Sequence, residues 1–197
     1  TPPVMSRVHA GDGSLIAEYA QERRLFVPID VVPEHVIKAF LAAEDKNFYD
    51  HIGIDFIGIA RAVFQNVLNV ASGKRLEGAS TITQQVAKNF LLSSDVTLER
   101  KLKEAVLALR LERTFNKRQL LELYLNEIYL GGGSYGIRSA SLNYFNKSLA
   151  DLDLDEMAML AALPKAPSTY NPYKNPIKAM KRRNWVLKRL FDEKYIN

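Results

Sequence analysis

The chain contains no cysteine, which excludes disulfides, thiolate metal centres and cysteine nucleophiles. Its three histidines, His9, His35 and His51, are too few for a multi-histidine metal centre. No uninterrupted apolar run reaches the roughly 18 residues that a membrane-crossing helix needs, and no signal peptide is recognisable. Any membrane anchor is therefore expected outside these residues, or attachment is peripheral. No His-Glu-x-x-His and no phosphate-binding P-loop occurs. An excess of one charge is nearly lacking too, with 27 basic against 22 acidic residues, a net +5. That bias does not demand nucleic acid, and none is expected as a partner. It suits a phosphate or an anionic membrane surface.

What remains is ordinary globular material. The 197 residues are 47% hydrophobic and 25% charged, enough for one domain with a sizeable core. The chain opens on Thr1-Pro2-Pro3 and closes in a basic, helix-like run, so it reads as a piece of something longer. Val4 to Ala10 and Leu15 to Tyr19, separated by Gly11-Asp12-Gly13, read as a short hairpin. From Pro33 onward the apolar spacing is mostly i, i+3, i+4. It predicts helices over 33–45, 55–70, 80–92, 97–113, 117–130, 135–145, 153–163 and 176–192. Asn116 with Gln119 resembles a capping box, Gly131 to Gly133 are expected to end a helix, and Pro164 to stop another. Loops are expected at 71–78 and 164–176. The fold class is mainly α.

The 55–70 helix is apolar around most of its circumference, through Phe56, Ile57, Ile59, Val63, Phe64, Val67 and Leu68. Only Arg61, Gln65 and Asn69 make a polar stripe, with Asn66 beside it. Such a helix is either a core helix or one that dips into a membrane interface, the second supported by Lys74-Arg75 just after it.

Two carboxylates carry the chemistry. Glu44 continues the apolar face of Val36, Ile37, Phe40 and Leu41, being four residues after Phe40. A partly desolvated carboxylate there is a stronger base, although a capped helix-end carboxylate would show the same spacing. Glu104 follows Arg100 and Lys101 at i−4 and i−3 and points away from the main apolar stripe of Leu98, Leu102, Ala105, Val106 and Leu109. Leu107, Ala108 and Leu111 flank it on the other side, so this helix is expected to be central. Glu104 is then a structural ion pair or half of an acid/base pair with Glu44 at a phosphate site. Between them, Gly78-Ala79-Ser80-Thr81-Ile82-Thr83-Gln84-Gln85 makes Ser80 a plausible N-cap, and Thr81, Gln85 and Lys88 would share one face. A polar surface helix would look similar.

Two tempting matches fail. Gly132-Gly133-Ser134-Tyr135-Gly136 satisfies the serine-hydrolase pattern, yet it follows a helix rather than a strand. Asp151, Asp153 and Asp155 imitate an EF-hand start, but Glu156 stands where that loop requires glycine. They read better as the cap and first turn of the next helix.

Taken together, the segments resemble the peptidoglycan glycosyltransferase family, the N-terminal half of class A penicillin-binding proteins. Glu-Asp-x-x-Phe-x-x-His-x-Gly matches Glu44 to Gly53, and Gly-x-Ser-Thr-Ile-Thr-Gln-Gln matches Gly78 to Gln85, with Lys88-Asn89 following. Arg-Lys-x-x-Glu matches Arg100 to Glu104, and Leu-Glu-x-Tyr-Leu-Asn matches Leu121 to Asn126. Ala166-Pro167-Ser168-x-Tyr170-Asn171-Pro172 and Arg182-Arg183 are similar to the family's C-terminal stretch. The resemblance spans roughly residues 25–190.

It implies a single domain over 1–197, a lysozyme-like helical head with a small membrane-facing jaw at about 52–76. The implied reaction polymerises lipid II into β-1,4-linked glycan strands, with inversion and release of undecaprenyl pyrophosphate. By resemblance Glu44 is the general base for the acceptor 4-hydroxyl. Glu104, with Arg100, Lys101 and a divalent cation such as Mg²⁺, would assist the leaving pyrophosphate. Asp45, Phe48, His51, Ser80, Thr81, Gln85, Lys88, Asn89 and Arg113 would line the cleft. The implied partners are lipid II, the growing glycan chain, moenomycin-type inhibitors, and a membrane surface met by residues 54–70. The implied place is the outer, periplasmic face of the bacterial cytoplasmic membrane. No Ser-x-x-Lys or Lys-Thr-Gly occurs, so transpeptidase chemistry would lie downstream in a longer parent. A lysozyme-like hydrolase would share the leading Glu but would not need the cationic row Lys88, Arg100, Lys101. A non-catalytic peptidoglycan-binding module would tolerate loss of Glu44.

Overall fold

A computed structural model describes residues 6–9, 15–19, 23–71, 78–90 and 97–197. The Gly11-Asp12-Gly13 turn, Lys74-Arg75 and most of the loop expected at 71–78 lie outside these residues, as does the end of the helix expected over 80–92. The described elements are β1 (Ser6–His9), β2 (Leu15–Tyr19), β3 (Arg23–Arg24), α1 (Glu34–Glu44), α2 (Phe56–Ala71), α3 (Ile82–Phe90) and α4 (Leu98–Thr114), then α5 (Lys117–Glu127), β4 (Ser134–Tyr135), α6 (Ile137–Phe145), α7 (Leu154–Ala162) and α8 (Pro176–Asp192). Eight helices stand where the apolar periodicity puts them. Short 3₁₀ turns at Ile29–Val31 and Leu149–Asp151 add to the helical content.

The chain divides into two compact units. One combines residues up to Ala39 with Leu125–Asn197; the other is Phe40–Tyr124. In the first, β1 and β2 form the expected antiparallel hairpin, with an irregularity between Val8 and His9. A parallel pair of β3 with β4 was not legible in the sequence, because it joins two-residue strands more than a hundred residues apart. Side chains secure it. Asn126 accepts from Val27 N at 2.8 Å and donates to Val27 O at 2.9 Å, while Ser139 Oγ accepts from Leu25 N at 2.9 Å. Arg24 pairs with Glu127 and lies 4.4 Å from the centroid of the Tyr135 ring. The Asn of the Leu-Glu-x-Tyr-Leu-Asn motif is therefore a backbone clip. α7 starts at a capping box, Asp153 with Glu156, which disposes of the EF-hand imitation. α7 and α8 then pack on each other.

One helix boundary differs from expectation. Gly131 to Gly133 do not end α5, which stops at Glu127. Gly136 N instead donates to Ile128 O, and Leu130 N to Ser134 O, so the chain turns into a small hairpin. The three glycines supply its positive φ angles of 85°, 59° and 73°.

The second unit carries the C-terminal half of α1, then α2, α3, α4 and most of α5. α3 packs on α4. Of the two apolar sides expected to make α4 central, only one is buried. Leu98 is 91% and Leu102 66% exposed, whereas Glu104, Ala108 and Leu111 are buried. The apolar count of a face did not decide which side packs. The Glu104 carboxylate goes inward with its charge met by Arg100 on one oxygen and by Lys101, which keeps its side chain at the surface, on the other.

Candidate functional site

The site lies in the Phe40–Tyr124 unit and is built around α3. At the end of α1, Glu44 Oε2 accepts from Gln85 Nε2 at 2.9 Å. Just before α3, Ser80 Oγ accepts from Lys101 Nζ at 2.8 Å. Lys101 Nζ also donates to Glu104 Oε2 at 3.0 Å, and an Arg100 guanidinium nitrogen lies 3.4 Å from Glu104 Oε1. α3 and the turn before it are thus tied to both carboxylates. Glu44 meets a neutral amide, Glu104 two cations.

Glu104 is 2% exposed, so its charge is compensated rather than solvated. Its Oε1 and the Nε of Arg100 are both buried without a hydrogen-bond partner among the described residues. Buried polar atoms are normally satisfied, so this pair marks a place prepared for further polar contacts.

The N-cap of α3 is Thr81, not Ser80. Thr81 Oγ1 accepts from Gln84 N at 3.1 Å, and Gln84 Oε1 accepts from Thr81 N at 3.0 Å, a reciprocal capping box. Ser80 is thereby left to serve Lys101. Thr81 Oγ1 further donates to Gly53 O at 2.6 Å, so its hydroxyl faces inward and does not share the face of Gln85 and Lys88. Lys88 and Asn89 are exposed on the last turns of α3.

Asp45 anchors the loop after α1. Both its oxygens lie 3.0 Å from His51 Nε2, and Oδ2 accepts from Ile82 N at 2.9 Å in the first turn of α3. Gly53 N donates to His51 Nδ1 at 3.1 Å, so that nitrogen carries no proton and Nε2 donates to Asp45. Phe48 is fully buried beside them. Asp45, His51 and Thr81 are thereby linked through Ile82 and Gly53, with Phe48 packed beside them, and form one wall of the site. The family resemblance has these residues line a cleft, and Asp45 and Thr81 do border the recess beside Ser80.

Three residues that sequence reasoning missed complete this wall. Lys117 Nζ donates to His51 O at 2.6 Å and to Glu112 Oε1 at 2.7 Å, and stands 4.5 Å from the centre of the Phe48 ring. Thr83 Oγ1 donates to the same Glu112 oxygen at 2.6 Å. Glu112 and Lys117 bracket the turn between α4 and α5, where their charges read as ordinary helix-end residues. No spacing rule would reveal their long-range partners.

Arg113 stands apart. It lies nine residues beyond Glu104 on α4, which at about 100° and 1.5 Å per residue is the opposite side and roughly 13 Å along. Asp55 borders the site as the residue that starts α2. Burial pushes its carboxyl up, but the Gly58 N–H, the Asn47 amide and the charge of Arg61 outweigh that and hold it below the usual value. Asp45, Asp55, Arg61 and Ser80 line a polar recess there.

On α2 the apolar side chains face outward. Phe56, Ile57 and Phe64 are 65%, 73% and 67% exposed, while Ala62 is buried. The alternative of a core helix is thereby excluded for these positions. No helix among the described residues is long and apolar enough to cross a membrane.

The transglycosylase family profile matches residues 12–191. Penicillin-binding protein 1A of Rickettsia typhi is 54% identical over 195 residues, covering 99% of this chain and 25% of that protein. The protein of the same name from Escherichia coli is 50% identical over 190 residues, covering 96% of this chain and 22% of its own. The crystal structure of penicillin-binding protein 1A from Haemophilus influenzae superposes with a TM-score of 0.56 at 32% identity, over 98% of this chain and 19% of that one. The chain thus spans about a quarter or less of these relatives. By family profile and by identity along nearly its whole length, the chain belongs to the transglycosylase family, as a glycosyltransferase domain of the class A penicillin-binding protein kind.

Proposed function

We propose that this chain polymerises lipid II into β-1,4-linked glycan with inversion, releasing undecaprenyl pyrophosphate. The observation that carries the reading is the unequal setting of the two carboxylates: Glu44 held by the Gln85 amide, Glu104 buried between Arg100 and Lys101. Glu44 takes the proton of the acceptor 4-hydroxyl as its oxygen attacks the donor's anomeric carbon. The bond from that carbon to the pyrophosphate oxygen breaks, and the electron pair leaves with the pyrophosphate. Arg100, Lys101 and Lys88 supply positive charge where that leaving group gathers negative charge. The orphaned Nε of Arg100 is a ready donor to it.

A divalent cation fits the same place in one way only. No group of three or more His, Asp or Glu among the described residues could cage a metal, but Glu104 Oε1 is a buried oxygen that accepts no hydrogen bond, with only the Arg100 ion pair at 3.4 Å beside it. Glu104 would hold Mg²⁺ together with pyrophosphate oxygens and water, the usual manner for this ion. When bound, the ion would neutralise charge on the leaving pyrophosphate.

The outward Phe56, Ile57, Val63 and Phe64 support a jaw at about 52–76 that rests on the lipid surface from which the substrate comes. In this reading the domain works on the outer face of the cytoplasmic membrane, with an anchor and a transpeptidase domain supplied by the rest of a longer chain. Moenomycin-type phosphoglycolipids would occupy the cationic cluster.

The test is incubation of the full-length protein with radiolabelled lipid II and Mg²⁺, beside polymeric peptidoglycan as a hydrolase substrate. Polymer from lipid II is expected. Cleavage of peptidoglycan without polymer would overturn the transferase reading.

A further inference from the structure

We propose that Tyr124 is a positioning residue for Glu44, its buried hydroxyl turning an O–H dipole toward that carboxylate to keep the base ionised and aligned. The inference rests on Glu44 being the general base and adds a residue to that machinery.

Geometry carries the argument. Tyr124, on α5, is 0% exposed, and its ring meets Phe40 edge-on at 6.3 Å and 75°. Phe40 lies one helical turn before Glu44 on α1, so the Tyr124 ring packs on the α1 face that ends in Glu44. The phenol oxygen has no hydrogen-bond partner among the described residues. A buried hydroxyl is nearly always satisfied, and phenylalanine would fill the same space without that burden. An orphaned hydroxyl beside a reacting group is the pattern of stability given up for function.

The surroundings state what the hydroxyl does. Burial first, then the negative charges of Glu44 and Asp45, push the phenol well above its usual value, so it stays a neutral O–H donor. Those two carboxylates are the charges that reach it. Asp45 is engaged by His51 Nε2 and by Ile82 N, and from α3 the group facing Glu44 is the neutral Gln85 amide. Asp45 is therefore already engaged, and Glu44 is the carboxylate that the reaction protonates. A phenol O–H swings between the two sides of its ring plane. Its dipole can point toward the Glu44 carboxylate before the reaction and away from the carboxylic acid afterwards, acting through space and keeping its own proton throughout. In so dry a place a dipole acts strongly.

The experiment compares wild type, Tyr124→Phe and Glu44→Gln in the full-length protein, recording kcat and KM for lipid II against pH, and Tm. Tyr124→Phe should fold with an equal or higher Tm and bind lipid II with a KM within about twofold. Its kcat near neutral pH should drop, roughly threefold to thirtyfold, and the acid limb of the profile should move to higher pH, because the carboxylate loses a favourable dipole. Should that variant fail to fold, 3-fluorotyrosine at position 124, a stronger donor of the same shape, should move the limb to lower pH. Phe40→Leu, which loosens the same packing but keeps the hydroxyl, should lower Tm and leave the limb in place. An acid limb that superimposes on wild type in Tyr124→Phe, with Glu44→Gln inactive, overturns the positioning role alone. Full activity in Glu44→Gln would overturn the base assignment and this inference with it.

Discussion

Lys101 Nζ donates to Glu104 Oε2 at 3.0 Å, three residues apart on α4, and reaches Ser80 Oγ at 2.8 Å with the same ammonium. Arg100 stays beside the other oxygen of Glu104 at 3.4 Å, so a Lys101→Ala variant still has one cation against the buried carboxylate. Since the Lys101 side chain is 48% exposed, little stability depends on it. Binding is another matter. One charged contact to a phosphate is worth about 1.5–3 kcal/mol, or roughly tenfold to a hundredfold in affinity. Lys101→Ala should weaken moenomycin binding by that much, measured by calorimetry, with Tm nearly unchanged. Unaltered inhibitor affinity would remove Lys101 from the phosphate site.

Gly53 has φ +95°, and a Cβ there would stand 2.9 Å from Glu112 Cγ and 3.1 Å from Ala108 O. The glycine of the His-x-Gly motif is thus required by the close approach of this loop to α4. Gly53→Ala should cost about 1–3 kcal/mol through strain and displacement. Thermal unfolding should show a Tm several degrees lower. Activity should fall too, because Gly53 bonds both His51 and Thr81. A Tm equal to wild type would contradict this account of the loop.

The exposed α2 residues predict lipid contact. Replacing Phe56 and Phe64 by Ser should reduce partitioning onto anionic vesicles, with roughly 1–3 kcal/mol lost for each aromatic that inserts. Co-sedimentation with liposomes measures it. Equal partitioning of the variant, with the fold intact by circular dichroism, would mean that this face does not enter the membrane.

How much of this was legible in the sequence depended on range. Local rules worked: the Asn116–Gln119 pair does form a reciprocal cap, with Gln119 N donating to Asn116 Oδ1 at 2.9 Å and Asn116 N to Gln119 Oε1 at 3.0 Å. Glu44 at the end of an apolar face, and Glu104 among cations, could both be read from spacing. Orientation could not. On α4, periodicity shows two apolar sides, and only the partner surface decided that Leu98 and Leu102 stay outside while Glu104 goes in. Ser80 and Thr81 are both good caps, and the choice was made by Lys101, twenty-one residues beyond Ser80, which claims the serine. Lys117 over Phe48 and Thr83 on Glu112 join distant segments by single side chains, which leaves no periodic trace.

The central claim is that Glu44 is the base of a glycan-forming reaction. Glu44→Gln keeps the volume and the amide neighbour but removes the basic oxygen. A positioned base is worth about 10² to 10⁴ in rate, and a required one more. The measurement is polymer formed from radiolabelled lipid II by the full-length Glu44→Gln protein, with lipid II binding recorded in parallel. The account predicts near-normal binding and almost no polymer; substantial polymer from that variant would contradict it.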